Sequence, residues 1–290
     1  MTDGDVPAVE RITATAFYDL DVTTQRVDWP AAELRPPERA APWVRRMRHL
    51  IEHDGPGCWV AEDDDAGEVV GAAAALLREG MWGLSTFAVR PGLQARGVGR
   101  RLLWSALAHA PAGSPGIICS SHDPRAVRLY RLAGFEIHPA MLMWGRVRRT
   151  VLPPLDSVRE GVAADIELLD TIDRASRGHA HGVDHSLLVD QYPLLVVERG
   201  GGSRGYAYLY PDGAPYLLAA TDGGAASAVL WASLAASDEG VEVAIHNLTS
   251  TQGWAVDVGL AAGLALHSRG YLALRAMPPP APYIPSGHFL

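Results

Sequence analysis

Cysteine is nearly absent from this chain. Cys58 and Cys119 are the only two in 290 residues, both inside apolar stretches, with no Cys-x-x-Cys pair and no neighbouring histidine pair. This excludes a disulfide framework and a cysteine-based zinc site, and it predicts two buried thiols. Long hydrophobic runs are missing as well: a stretch such as Val69 to Leu77 falls far short of the roughly 20 apolar residues that a membrane helix needs. No membrane partner is expected. Positive charge is in deficit, with a formal net charge of −8, which argues against a general nucleic-acid binder and weakly suits a cationic acceptor. The acidic opening Met1-Thr2-Asp3-Gly4-Asp5 has no signal-peptide character, so a cytoplasmic location is expected.

Two common phosphate-binding signatures are missing too. A Walker loop ends in Gly-Lys-Ser/Thr, whereas here Gly97 is followed by Val98, and a dinucleotide fingerprint needs a third glycine where this chain has Leu102. A literal G-x-G-x-x-G does occur at Gly200, Gly202 and Gly205, but it joins Leu194-Leu195-Val196-Val197 to Tyr206-Ala207-Tyr208-Leu209-Tyr210. A strand on each side makes it a hairpin turn.

The informative stretch is Ser85 to Leu103, in which an apolar strand breaks into Gln94-Ala95-Arg96-Gly97-Val98-Gly99 and then into an amphipathic helix. Glycines at a helix start leave unpaired backbone N–H groups and the positive end of the helix dipole aimed at one point, which suits a pyrophosphate. Arg96, Arg100 and Arg101 add positive charge around the mouth. Val89-Arg90-Pro91 followed by Gln94-x-x-Gly97-x-Gly99 resembles motif A of the GCN5-related N-acetyltransferase (GNAT) superfamily. The passage Asp123-Pro124-Arg125-Ala126-Val127-Arg128-Leu129-Tyr130-Arg131-Leu132-Ala133-Gly134-Phe135 resembles its motif B, a helix ending in Leu-Tyr and closing with Gly-Phe. Ala126, Leu129 and Ala133 form the inward stripe by pattern, and Gly134 reads as the helix cap that lets Phe135 begin a strand.

With 48% hydrophobic residues over 290 positions, the chain can bury a large core and is long enough for two domains. Helices are expected at Val6 to Phe17 and, after a passage through Pro30, Pro36, Pro37 and Pro42, at Trp43 to His53. Cys58 to Ala61 and Val69 to Ala74 read as paired strands around the acidic turn Glu62-Asp63-Asp64-Asp65, a solvated tip. The resemblance implies a mixed α/β (α+β) sheet, and the second half repeats the first. Leu194 to Tyr210 matches the Cys58 to Leu77 hairpin, Tyr216 to Thr221 the motif A strand, Val229 to Leu234 the Leu102 to Leu107 helix, Val241 to Asn247 the Gly116 to Ser121 strand, and Ala262 to Gly270 the Ala126 to Gly134 helix. The proline-stiffened Val151 to Leu155 separates them, giving a GNAT acetyltransferase domain at 1–150 and a degenerate GNAT-like domain at 155–290. In the copy the cradle shrinks to Asp222-Gly223-Gly224 and Leu266 stands in the slot of Tyr130. An acid at a phosphate site is repulsive, so no coenzyme is expected there. His179, His181, Asp184 and His185 match no defined metal spacing; no metal is assigned, and the segment is expected to face the first domain's cleft.

The resemblance implies direct acetyl transfer from acetyl-CoA, a cosubstrate, to a small-molecule amine. By that resemblance Tyr130 protonates the departing thiolate, and the backbone of Phe87 and Val89 aligns the pantetheine arm. Gln94, Ala95, Arg96, Gly97, Val98, Gly99, Arg100 and Asp123 complete the coenzyme site. Asp123 stands where relatives usually have Asn, and the Leu84 to Val89 strand lacks the Glu that many use as base, which leaves His122, Asp123, Glu79 or a water relay as alternatives. A homodimer is left open. A non-catalytic acyl-CoA-binding sensor is the alternative reading.

Overall fold

The computed structural model describes residues 1–25, 31–155 and 157–290; Pro30 of the proline-rich passage lies outside the described residues. In chain order the first half contains α1 (Val6–Thr24), α2 (Pro37–Asp54), β1 (Cys58–Asp63), β2 (Glu68–Arg78), β3 (Met81–Val89), α3 (Val98–Leu107), β4 (Gly116–Ser120), α4 (Pro124–Leu132) and β5 (Glu136–Arg146). The second half contains β6 (Val158–Glu160), α5 (Ile166–Arg177), α6 (Asp184–Gln191), β7 (Leu194–Glu198), β8 (Arg204–Leu209), β9 (Pro215–Ala220), α7 (Gly223–Ala235), β10 (Glu242–Leu248), α8 (Gly253–Ala261), β11 (Ala265–Arg275) and β12 (Tyr283–Ile284). The helix α2 begins six residues before the expected Trp43, because Pro37 takes its first position, where a missing N–H costs nothing.

The halves do not close separately. One sheet runs β1-β2-β3-β4-β11-β5-β10 and the other β12-β9-β8-β7-β6. The fifth strands are exchanged: β11 pairs with β4 from Tyr271↔Ser120 to Arg275↔Gly116, and β5 lies between β11 and β10. One hydrophobic core likewise draws on both halves, with Val9, Met47, Leu50 and Leu76 packed with Leu169, Leu188, Tyr206 and Phe289.

A buried ion cluster fastens the same seam. Arg78, at the end of β2, donates from Nε to Asp184 Oδ2 (2.8 Å) and from Nη2 to Asp184 Oδ1 (2.6 Å), and from Nη1 to Asp54 Oδ1 (2.9 Å). All three side chains are buried, and His49 Nε2 lies 2.8 Å from Asp184 Oδ1. Burial works against the Asp184 charge, but His49 and Arg78 outweigh it and hold its pKa below the ordinary 3.8. The cluster's contribution is therefore complete above that value and lost as pH falls through the depressed one.

Removing the guanidinium strands two buried carboxylates, so Arg78→Met is expected to lower stability by about 3–5 kcal/mol in urea unfolding at pH 7. Acid unfolding of the variant should begin at higher pH than in the wild type. A loss below about 1 kcal/mol, the range of an exposed pair, would show that the cluster is not a clamp.

Candidate active site

The site starts where two strands stop pairing. β3 and β4 are parallel partners only at Trp82↔Gly116 and Gly83↔Ile117. Next to that point the β2–β3 register slips between Ala74↔Thr86 and Ala75↔Leu84, which leaves Ser85 as a bulge that bends β3. The backbone beyond the bulge has a definite orientation. Arg90 N–H donates to Val70 O (2.8 Å), so by antiparallel alternation Ala88 and Thr86 also bond to β2, while Phe87 and Val89 direct their amides to the opposite, open edge.

At the end of that edge sits the glycine turn. Gly97, the residue before α3, has φ +86°, a conformation that favours glycine, and no side chain caps the helix. The first N–H groups of α3 are thus free to bind an anion. A Cβ at Gly99 would stand 3.2 Å from Phe87 Cζ, so the missing side chain is what lets the helix start lie against the strand. Arg96, Arg100 and Arg101 ring an adjoining surface groove with Trp104.

Tyr130 on α4 is the one fully buried residue of its helix; the expected stripe of Ala126, Leu129 and Ala133 is only half-buried. Its ring lies 6.2 Å from that of Phe87, and its hydroxyl has no hydrogen-bond partner among the described residues. Burial, with a smaller effect of the Asp123 charge, raises its pKa above the ordinary 10. Asp123 is spent on its own helix: Oδ1 accepts from Arg125 N (2.9 Å), and the carboxylate also pairs with the Arg125 guanidinium, which holds its pKa below the ordinary value despite partial burial. Arg125 Nη1 also donates to Gln94 Oε1 (2.5 Å), while Gln94 Nε2 donates to Val89 O (3.2 Å). Gln94 and Asp123 therefore tie the strand end, the turn and α4 together.

A cavity of about 1580 Å³ joins these parts. Phe87, Val89, Gln94, Ala95, Gly97, Gly99, Arg100, Asp123 and Tyr130 line it; Arg96 lies on the adjoining groove, and Val98 packs on the core instead. The consecutive residues Leu84 to Val89 all contribute, so the cavity passes through the gap in the sheet to the face covered by α1 and α2. On that face Trp43 and Arg46 meet Tyr192, Tyr210, Tyr216, His246 and the tail residues Gly287 and His288. The sequence pattern does not mark these tyrosines: Tyr192 stands just after α6, Tyr210 continues the Tyr206, Tyr208 alternation just past β8, and Tyr216 lies in the apolar run of β9. Cys58 is buried, and Cys119 is half-buried on the cavity wall, where burial pushes its thiol up to about 12.

Several expectations fail on position. Glu79 is held by Arg174 (2.6 Å) and by Ala180 N (2.8 Å) at the β2–β3 turn, away from the cavity. His122 accepts from Gly270 N (2.9 Å) and stacks edge-on with Tyr271 (5.6 Å), and it does not line the cavity. The His179 to His185 segment does not face the cleft: His181 Nδ1 and His185 Nε2 lie 2.6 and 3.0 Å from Asp173 Oδ2, and Tyr206 donates to Asp173 Oδ1 (2.5 Å). Asp173, His181 and His185 have metal-compatible spacing, but each is engaged in this buried network. The proposed slot of Tyr130 in the copy also moves. Phe135 N bonds to Tyr130 O as Leu264 N bonds to Gly259 O, so Gly259, not Leu266, is the counterpart; Leu266 lies on β11 because the helix ends at Ala261. A side chain at Gly259 would strike the Met143 sulfur.

The rest of the copied site is filled from within. Asp222 Oδ1 accepts from Gly224 N (2.9 Å) and Ala225 N (3.0 Å), capping α7 at the place where α3 is uncapped. The open edge of β9 is taken by β12, through Tyr283↔Ala219 and Ile284↔Leu218.

Residues 15–135 match the model of the acetyltransferase (GNAT) family. That segment thus carries a GNAT acetyltransferase domain, of a family of enzymes whose acetyl donor is acetyl-CoA. Among solved structures, a protein from Pyrococcus horikoshii assigned as an acetyltransferase superposes with a TM-score of 0.71 at 15% identity, covering 94% of this chain and 86% of its own. A GCN5-related N-acetyltransferase from Sphaerobacter thermophilus gives 0.56 at 16% identity over 96% of this chain and 95% of its own. A tandem GNAT protein from the clavulanic acid biosynthesis pathway gives 0.52 at 16%, over 95% and 96%. At these identities the likeness speaks for a tandem GNAT fold. No curated protein sequence matches the chain. Among the described residues no helix is long and apolar enough to cross a membrane.

A carboxylate at position 99 would meet the Phe87 ring and the anion-binding N–H groups together. Gly99→Glu should keep its circular dichroism spectrum and lose acetyl-CoA binding by calorimetry, at least roughly 100-fold. The wild type should titrate with one acetyl-CoA per chain; two equivalent sites would contradict the internal filling of the second half.

Proposed function

We propose that the protein transfers the acetyl group of acetyl-CoA to the amine of a small molecule, with coenzyme binding and chemistry in residues 1–150. Residues 155–290 act as a degenerate GNAT-like domain that walls the acceptor chamber. The observation that carries this reading is the single cavity leading from the uncapped start of α3, along the open amides of β3, past Tyr130 and into a chamber on the other face. The cosubstrate supplies an activated thioester. The N–H groups at Gly97 to Gly99 hold its pyrophosphate, Arg96, Arg100 and Arg101 offset its remaining charge, and the Phe87 and Val89 edge aligns the pantetheine arm in the manner of an added strand.

Tyr130 donates the proton that the leaving thiolate takes up. A phenol with its pKa raised by burial stays protonated at any working pH, and its unpartnered hydroxyl is free for this bond. Cys119 is an unionised thiol, which favours direct transfer over an acyl-cysteine intermediate. On the acceptor side, burial lowers the pKa of His246 to about 4 and that of His288 well below its ordinary 6.5, so neither is a strong base. Neither is therefore assigned as the base that takes the amine's proton.

Release of free CoA across a panel of amines tests the reading. Tyr130→Phe should bind acetyl-CoA like the wild type while turnover falls roughly 10²–10⁴-fold. A wild-type rate would assign the proton to another donor, and acetyl-CoA binding with no turnover on any amine would leave a binding protein. The pH profile is a separate check. Because neither cavity histidine titrates near neutrality, kcat/KM should rise with the acceptor's own deprotonation and show no alkaline fall up to the ordinary tyrosine value of 10. A descending limb below that value would mean that Tyr130 is not the donor.

A further inference from the structure

The acceptor chamber contains a buried guanidinium with no counter-charge among the described residues. Arg46, on the α2 side, is buried, with 6% of its surface exposed. Among the described residues its Nε has no hydrogen-bond partner, Nη2 makes one long contact to Thr86 Oγ1 (3.5 Å), and its Cζ stands 5.9 Å from the centroid of the Trp43 ring. No carboxylate lies within ion-pair distance among the described residues, although Asp212 and Glu38 line the same cavity. The neighbouring Arg35 is different, because Glu10 already neutralises it at 2.6 Å. Burying an unpaired cation costs several kcal/mol unless something compensates it. This one faces an open chamber.

We propose that the acceptor is an amino acid or a close amino-acid analogue, whose carboxylate pairs with Arg46 while its amine reaches the edge of β3. The inference rests on the acetyl-transfer reading above and adds the class of substrate. One uncompensated positive charge matches a monoanion, and a planar guanidinium suits the two oxygens of a carboxylate. Position supports the same pairing. Thr86, which Arg46 touches, directly precedes Phe87 on β3, so the anion site lies one residue from the amide edge assigned to the thioester arm. Part of the chamber wall is flat and aromatic: Tyr192 stacks on Tyr216 at 4.2 Å, and Tyr216 on His288 at 5.9 Å. Such faces accommodate the body of a side chain without demanding further charge.

The test uses matched acceptors with the full-length protein: phenylalanine, tyrosine and leucine against phenethylamine, tyramine and isoamylamine, and against the corresponding amino-acid amides. CoA release should favour the acids over both sets by at least roughly 30-fold in kcat/KM, the range set by a buried charge pair. In Arg46→Met that preference should collapse, chiefly through KM, and Arg46→Lys should restore part of it. Acetyl-CoA calorimetry on each variant establishes that the coenzyme half is intact. If a variant fails to fold, the wild-type comparison of acid with amide decides alone. Turnover that is equal for acids and amines, or that prefers the amines, overturns this inference and leaves the acetyl-transfer reading standing. Acetyl-CoA binding without turnover on any acceptor removes both.

Discussion

The functional architecture depends on two parallel strands that separate after two residues. Had β3 and β4 paired along their lengths, the amides of Phe87 and Val89 would be satisfied by a neighbouring strand, and no passage would cross the sheet. The bulge at Ser85 starts the divergence, and Trp82, buried with its Nε1–H donated to Ala106 O (3.0 Å), fixes the closed end. An open edge of this kind is normally a liability. Here the glycine turn and α3 shield it at one end, and the second half of the chain covers the other face.

That second half is as much a structural partner as a copy. By lending β11 to the edge of β4 and receiving β5 beside β10, it completes a sheet that neither half could finish alone. The Arg78 cluster and the shared core fix the relative position of the halves, and with it the distance between α2 and the tyrosines Tyr192, Tyr210 and Tyr216. The chamber on that face of the sheet exists because that distance is fixed.

The sequence carried the local part of this well. The strand, the turn and the helix start are written in consecutive residues, and so is the helix from Pro124 to Tyr130, because a glycine or a cap acts on its immediate neighbours. What sequence could not carry is long-range. Nothing near Glu79 announces Arg174, and nothing near His122 announces Gly270, so two candidate bases were in fact structural contacts. Leu266 was misplaced because the helix Gly253 to Ala261 is apolar on nearly every side and offers no distinct stripe to set its register. Arg46 drew no notice, since an arginine in an amphipathic helix is commonplace until its surroundings are known.

The tail strand β12 makes the fate of the second half concrete. It lies where β9 would open toward β10, and so acts as a built-in occupant of the duplicated groove. Anchored there, the chain runs on only a few residues before Gly287 and His288 reach the chamber of the other half. A groove filled by its own chain works as a socket. In the second half a segment of the chain itself takes the strand edge, and the residues that follow it line the cavity of the first half.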